Sequence, residues 1–328
     1  MKKIVIVTGG AGFIGSHMVE HLLKKNFKVR IIDNFVGGHE SNLNSFKHDK
    51  NLSLEVKNIV NFNKKSFFKD ISYIFHFAGI GDVVPSIERP KEYLNTNVQG
   101  TINILENARR SGIKKFIYAA SSSCYGIAST PTKESHQINP MYPYALSKYF
   151  GEQACMHWNK VYKFPANSIR IFNAFGTRVR TTGAYGAVFG VFLKQKLANK
   201  AFTIVGDGTQ KRDFIYVTDV IDAFLKAAET KLSGKIWNVG NDNPQSINRL
   251  VNLLGAKYKV YIPKRPGEPD CTWACIEKIK KDLNWKPKIT FSKGVKLMLE
   301  NINHWKKAPL WTPEKIKGAT KDWFKYLK

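Results

Sequence analysis

Tyr144 and Lys148 stand four residues apart in Tyr144-Ala145-Leu146-Ser147-Lys148. On a helix that spacing stacks a phenol and an ammonium on one face. The ammonium would lower the phenol's pKa and make tyrosinate available as a base near neutral pH. Upstream, Ala119-Ala120-Ser121-Ser122-Ser123-Cys124-Tyr125-Gly126 ends an apolar run in hydroxyls, and Ser121 there can donate a hydrogen bond to a substrate oxygen. Near the start, Gly9, Gly12 and Gly15 follow Ile4-Val5-Ile6-Val7. A glycine turn between a buried strand and a helix lets the backbone approach a pyrophosphate held on the helix N-terminus. A second strand ends in Asp33, 18 residues beyond Gly15. A carboxylate there can accept both ribose hydroxyls of an adenosine and would repel a 2′-phosphate, which favours NAD over NADP. A Tyr-x-x-x-Lys spacing alone occurs by chance on many helices; behind a dinucleotide turn and a strand-terminal serine cluster it gains meaning.

These residues need a scaffold that brings strand ends together, and the chain carries its signature. Apolar, β-branched runs at 4–7, 29–32, 52–56, 73–77, 116–118 and 168–172 alternate with helical stretches at 13–25, 91–111 and 142–162. Six strands with crossover helices make an α/β fold with a doubly wound parallel sheet, whose ligands sit beyond the carboxyl ends of the strands. Beyond about residue 175 the rhythm loosens into a Gly- and Thr-rich loop (176–186), a helix near 187–199, a short strand at 202–205 and a proline-bearing loop at 263–269. The expected organisation is a Rossmann domain over 1–175 and a smaller C-terminal α/β substrate domain over 176–328, with the segment around 213–243 returning to the first. Trp305, Trp311, Trp323, Phe324 and Tyr326 read as packing anchors of the tail.

The 328 residues are 43% hydrophobic and 23% charged, enough apolar material for a sizeable core and too much for a disordered chain. No apolar run approaches the ~18 residues that a membrane-spanning helix needs. The start lacks the long apolar region and cleavage site of a signal peptide. Four cysteines without a CxxC pair fit a reducing compartment, so a soluble cytoplasmic protein is expected. Against 25 acidic residues stand 52 basic ones, a net charge of +27, but only ten of these are arginine, and the lysines form no block. That pattern reads as a solvated basic surface able to attract anionic substrates, with no nucleic-acid or membrane partner.

The stretches above, with His76-Phe77-Ala78-Gly79, Asn97-Val98-Gln99-Gly100-Thr101, Arg170-Ile171-Phe172-Asn173, Gly206-Asp207-Gly208-Thr209-Gln210-Lys211-Arg212-Asp213-Phe214 and Arg265-Pro266-Gly267, resemble the extended short-chain dehydrogenase/reductase family. The resemblance is to its NAD-dependent nucleotide-sugar epimerase/dehydratase branch, in particular the UDP-hexose 4-epimerases, and covers nearly the whole chain. It implies Ser121, Tyr144 and Lys148 as the catalytic residues, with Lys148 also bonding the nicotinamide ribose. It implies NAD contacts at Gly9, Gly12, Phe13, Ile14, Gly15, Asp33 and Asn34. Further cofactor contacts are implied at Asn58 (adenine), Ile59, Phe77, Ala78, Gly79, Asn97 and Phe172. For the nucleotide sugar it implies Asn173, Arg212 and Arg265 at the diphosphate, Phe202 and Thr203 at the base and Glu268 at the ribose. Ser86, Ser122, Ser123, Ala187, Val188 and Thr272 complete the substrate set. His76 reads as a strand-end structural residue, and no residue is assigned to a metal.

Within the branch, Ser122 and Ser123 occupy positions where 4,6-dehydratases carry Asp-Glu or Ser-Glu and where decarboxylases of UDP-glucuronate place Glu at the second. Elimination needs a positioned acid and base, and neither serine is a carboxylate. The implied activity is therefore epimerisation, of UDP-glucose or UDP-N-acetylglucosamine at C4, with UDP-glucuronate or another nucleotide sugar as the alternative and dehydration or decarboxylation after that. Thr272 and the 183–188 loop resemble acetamido-sugar epimerases. Gly79-Ile80-Gly81-Asp82 departs from relatives that carry Lys there. A non-enzymatic NAD-sensing module would keep the glycines and lose the Tyr–Lys pair, which is intact. The family pairs through helices matching 91–111 and 142–162, so a homodimer is expected.

Overall fold

The structure is a computed structural model that describes residues 2–180 and 188–327. Strand β1 (Ile4–Thr8) runs through the glycine turn into α1 (Phe13–Lys24), then β2 (Lys28–Asp33), β3 (Leu52–Val56) and β4 (Ile71–His76). Helices α2 (Pro90–Leu94) and α3 (Gly100–Arg109) are continuous through a π-turn, Asn95–Gln99. Next come β5 (Lys115–Ser121), α4 (Pro143–Tyr162) and β6 (Ala166–Ile171). The remainder comprises β7 (Ala174–Phe175), α5 (Val188–Leu197), β8 (Phe202–Val205), β9 (Lys211–Arg212), β10 (Ile215–Tyr216) and α6 (Val217–Glu229). It ends with β11 (Ile236–Val239), β12 (Gln245–Ser246), α7 (Ile247–Leu253), β13 (Lys259–Ile262), α8 (Glu277–Leu283), α9 (Phe291–Glu300), α10 (Pro313–Ala319) and α11 (Lys321–Tyr326).

Seven strands form one sheet in the order β11-β6-β5-β4-β1-β2-β3, every neighbour parallel. The order reverses between β1 and β4, so their carboxyl ends open a crevice at the switch point. Both faces are covered, which is why the central strands read as unbroken apolar runs. Val5 and Val7 pack with Met18, Ile221 and Phe224 of α1 and α6, while Ile6 points to the opposite face with Ile74, Ile104, Leu105 and Phe116 under α3 and α4. The sequence pattern has six strands; β11 is the seventh, pairing Ile236–Val239 with Ser168–Ile171. A separate apolar cluster gathers Phe175, Phe192, Phe202, Phe214, Leu250, Phe291 and Trp305 in the second half of the chain. Among the described residues no helix is long and apolar enough to cross a membrane.

Helix α4 carries the Tyr–Lys pair, and two features set its position. Pro143 occupies its first turn, and Lys163 ends it in the left-handed region at φ 54°. Ala145, Lys148, Glu152 and Cys155 form its buried stripe at helical spacing. Gly151 brings the helix against β5 so closely that a Cβ there would overlap the Tyr118 hydroxyl. The next residue, Glu152, makes a buried ion pair with Arg170 of β6 (2.6 Å) and accepts from Ser168 Oγ (2.9 Å), and Arg170 also donates to the Tyr125 hydroxyl (2.8 Å). Both Glu152 carboxylate oxygens are hydrogen-bonded, which a buried pair requires if it is not to destabilise the fold.

Candidate active site

The glycine turn is built on backbone contacts that side chains would break. Gly9 adopts φ +70° and lies against Ala78 N, where a Cβ would sit at 2.7 Å. A Cβ on Gly15 would overlap the Gly9 carbonyl oxygen. Asp33, at the end of β2, braces this turn: one carboxylate oxygen accepts from Ala11 N (2.9 Å) and the other from Phe35 N (2.8 Å). Burial raises the Asp33 pKa above the ordinary carboxylate value, opposed by those backbone N–H groups. Asn34 caps the following turn, accepting from Val36 N (3.2 Å).

Next to it, buried polar groups form a directional relay. Ala78 N donates to Thr8 Oγ1 (3.2 Å), and Thr8 pairs with His76 Nδ1 (2.8 Å). His76 Nε2 pairs with Thr101 Oγ1 (2.9 Å), and Thr101 donates to Asn97 O (2.7 Å). Since Thr101 spends its proton on Asn97, the network assigns the proton to Nε2 of a neutral His76. Burial agrees, pulling the imidazole pKa down to about 3. Asn97, on the π-turn, accepts from Ile80 N (2.7 Å) and donates to Ile80 O (3.1 Å) and Ser147 Oγ (2.9 Å). It thereby clamps the segment after β4 to α4. The structural role given to His76 is the one observed.

Three segments then converge. Ser121 hydrogen-bonds the Tyr144 phenol, and Ser123 N donates to Ser121 Oγ (3.2 Å). Tyr144 also packs edge-on to Tyr93 (6.5 Å). Lys148 is buried with its ammonium over the Tyr118 ring, 4.6 Å from the centroid. The electrostatics correct the sequence expectation. Burial raises the Tyr144 pKa, and the Ser121 hydrogen bond only partly opposes this. Lys148 is itself pulled down to about 8 by desolvation. The cost of burying a phenolate there outweighs any help from the ammonium. Asp82, which faces Tyr144 electrostatically, is ion-paired with Arg180 (2.7 Å).

A second polar group lies where the two halves of the chain meet. Glu268 pairs with Arg265 (2.8 Å) and lies 3.8 Å from Arg212. Thr272 donates to Asn173 Oδ1 (2.7 Å) and accepts from Asp213 N (3.2 Å). Asn173, Arg212, Arg265, Glu268 and Thr272 are thus held by loops that touch one another. Other expected contacts are placed differently. Phe202 is core, stacked on Phe192 (4.9 Å), and the Thr203 N–H and hydroxyl are taken by Gln195, so neither side chain is presented to a base. Ser86 is fully buried and donates to Val83 O (2.7 Å), shaping a turn instead of a pocket wall. Asn58 caps a turn through Val60 N (2.9 Å), beside Ile59, which packs under Gly100. Phe172 is buried against Tyr125 (6.3 Å). Val188 starts α5; Ala187 lies outside the described residues.

The match to known proteins agrees with this geometry. The model of the NAD dependent epimerase/dehydratase family matches residues 5–240, the span from the glycine strand to just beyond β11. The chain belongs to that family. A putative UDP-glucose 4-epimerase of Methanocaldococcus jannaschii is 37% identical over 300 residues, 89% of this chain and 96% of the relative. The solved UDP-glucuronic acid 4-epimerase of Bacillus cereus, in complex with UDP-glucuronic acid and NAD, superposes with a TM-score of 0.86 at 32% identity, covering 92% of this chain and 99% of the other. A UDP-N-acetylglucosamine 4-epimerase of Methanobrevibacter ruminantium gives 0.85 at 32% identity, over 92% and 100%.

As a member of the NAD-dependent epimerase/dehydratase family the chain is an NAD-dependent nucleotide-sugar epimerase, and the residues fit the cofactor. The Gly9–Gly15 turn, at the N-terminus of α1, is a cradle that a Cβ would fill. Asp33, at the carboxyl end of β2, sits beside that turn and accepts from Ala11 N and Phe35 N. Sequence reasoning gave no role to Tyr142 or Arg180 and read Trp323 only as a packing anchor of the tail. Tyr142 was visible as the residue before Pro143-Tyr144, but nothing in a single tyrosine signals that a distant tryptophan covers it.

Proposed function

We propose that this family member is a UDP-hexose 4-epimerase that accepts the acetamido sugar, interconverting UDP-N-acetylglucosamine and its C4 epimer as well as, or better than, the UDP-glucose pair. The observation that carries this reading is the set of hydroxyls around Tyr144, with Ser121 bonded to it and Ser122 and Ser123 alongside, and no carboxylate in that turn to drive elimination. Bound NAD supplies reversible hydride acceptance at the sugar carbon. Tyr144, in its phenolate form, takes the proton of the sugar O4 hydroxyl and becomes the neutral phenol, while Ser121 donates to the developing oxyanion. Lys148, one turn beyond Tyr144 on α4, would bond the nicotinamide ribose. Arg212 and Arg265 hold the diphosphate while the 4-keto sugar turns about it, and Tyr144 returns the proton once the other face is presented. The nucleotide is the fixed handle and the hexose is loosely held. Thr272, lacking a ring, leaves room for the acetamido group.

Purified protein incubated with a panel of UDP-, dTDP-, GDP- and CDP-sugars, with UDP-glucuronate among them, and read by NMR tests the reading. Equilibration of UDP-N-acetylglucosamine with its C4 epimer is expected. Turnover of UDP-glucuronate alone would reassign the substrate, and loss of water or carbon dioxide would reassign the reaction.

A further inference from the structure

We infer that Tyr142 and Trp323 form a positioning strap that ties the Arg265–Glu268 loop to the catalytic hydroxyls, making helix α11 part of the active site's support. The inference rests on reading that loop as the diphosphate holder. Trp323 is 1% exposed, and its Nε1 donates to Pro266 O (2.8 Å), the carbonyl following Arg265. Its ring lies against Tyr142, with centroids 5.3 Å apart. Tyr142 in turn runs nearly parallel to Tyr144, at 6.5 Å and 10°. The Tyr142 hydroxyl hydrogen-bonds Ser123, Ser123 N donates to Ser121 Oγ, and Ser121 bonds Tyr144. Tyr142, Ser123, Ser121 and Tyr144 therefore close a ring of contacts, and Trp323 reaches that ring from the opposite end of the chain.

Tyr142 faces both ends of a bound nucleotide sugar. Glu268 and Arg212 are close enough to act on its phenol electrostatically, while its ring stacks on the proton-transferring tyrosine. A lone tyrosine at this place has several rotamers; Trp323 on one side and Ser123 on the other leave one. The same indole fixes the Pro266 carbonyl and hence the start of the Arg265–Glu268 turn. A diphosphate held by that turn then meets catalytic hydroxyls already in register, which is where proximity and orientation act. Trp323 and Tyr142 touch neither the reacting carbon nor its proton; they act through Pro266 and Ser123.

Trp323→Phe keeps a ring and loses the bond to Pro266, whereas Tyr142→Phe keeps the stack and loses the bond to Ser123. Steady-state kinetics on the sugar identified by the panel, UDP affinity by calorimetry, NAD affinity and Tm are measured for both variants and wild type. Trp323→Phe is expected to raise KM and the UDP Kd about 3- to 10-fold, the worth of one hydrogen bond, with kcat within about two-fold. Tyr142→Phe is expected to lower kcat about 10-fold and leave UDP affinity unchanged. NAD affinity stays at the wild-type value in both. The strap is overturned if Tyr142→Phe keeps wild-type kcat, or if kcat, KM and NAD affinity fall together with Tm as a packing defect would make them. Wild-type protein that binds no UDP instead removes the reading of the loop, a separate outcome. If Trp323→Phe does not fold, Tyr142→Phe alone decides.

Discussion

Because the Tyr144 phenol is buried beside Tyr93 and Tyr142, its surroundings disfavour the anion, and the Ser121 hydrogen bond is the opposing force. Tyr144→Phe should abolish turnover, by about 10²- to 10⁴-fold or more, and leave NAD and UDP binding within two-fold, since only the proton carrier is lost. Lys148 offers a test by stability. Its pKa falls from 10.5 to about 8 on folding, so between those values the unfolded chain holds the extra proton. Stability therefore rises with pH across that window, and below pH 8 the full cost of the buried charge is present. The stability gained by Lys148→Met, from urea midpoints, should be largest near pH 7 and shrink toward pH 10.5; a pH-independent difference would count against the assigned shift. Thr272→Val removes the hydroxyl that pins Asn173 Oδ1 and should raise KM about 3- to 10-fold, with Thr272→Ser restoring it. Thr272→Tyr should cut acetamido activity far more than plain hexose activity, because overpacking penalises the larger sugar. At this scale, residue types and spacing were legible and the sign of a pKa shift was not. That sign depends on what covers the phenol, and its covers come from Tyr93, Tyr142 and Ser121, in three separate segments.

Among the elements, the β1–α1 turn and helix α4 show how little freedom the scaffold leaves. Gly15→Ala should weaken NAD binding at least about 10-fold, because its Cβ displaces the Gly9 carbonyl and the turn with it. Gly37→Ala, where nothing lies within 4 Å of the new Cβ, is the control and should bind NAD normally. Glu152→Ala should lower stability by about 3–5 kcal/mol in denaturant unfolding, since Arg170 would stay buried without its carboxylate. The strands of the first half were legible because burial on both faces writes unbroken apolar runs. Strand β11 was not, being four residues long with Asn238 in its middle, where the side chain donates to Thr132 O and accepts from the Tyr125 hydroxyl. Phe202 and Thr203 matched a family strand in position, yet Gln195 takes the Thr203 groups, and no pattern within β8 announces that.

Across the whole molecule, Phe150, Val161 and Tyr162 leave apolar surface exposed on α4, one of the helices through which the family resemblance implies pairing. Light scattering should give a dimer mass at micromolar concentration and Phe150→Glu a monomer; a wild-type monomer would remove the pairing. The sheet carries a different consequence, one concerning the order in which the protein is made. The outer edge of β6 is closed only by β11, and the first core includes Phe224, Trp237 and Val239. On a ribosome working at about 5–20 residues per second, the stretch 172–235 takes roughly 3 to 13 seconds to emerge. Throughout that interval the outer edge of β6 keeps a bare row of N–H and C=O groups, open to pairing with a neighbouring chain. A fragment ending at residue 175 should accordingly be recovered as aggregate, whereas completion of the dinucleotide half must wait for synthesis to pass residue 239, so that the cofactor cradle and the substrate loops mature together.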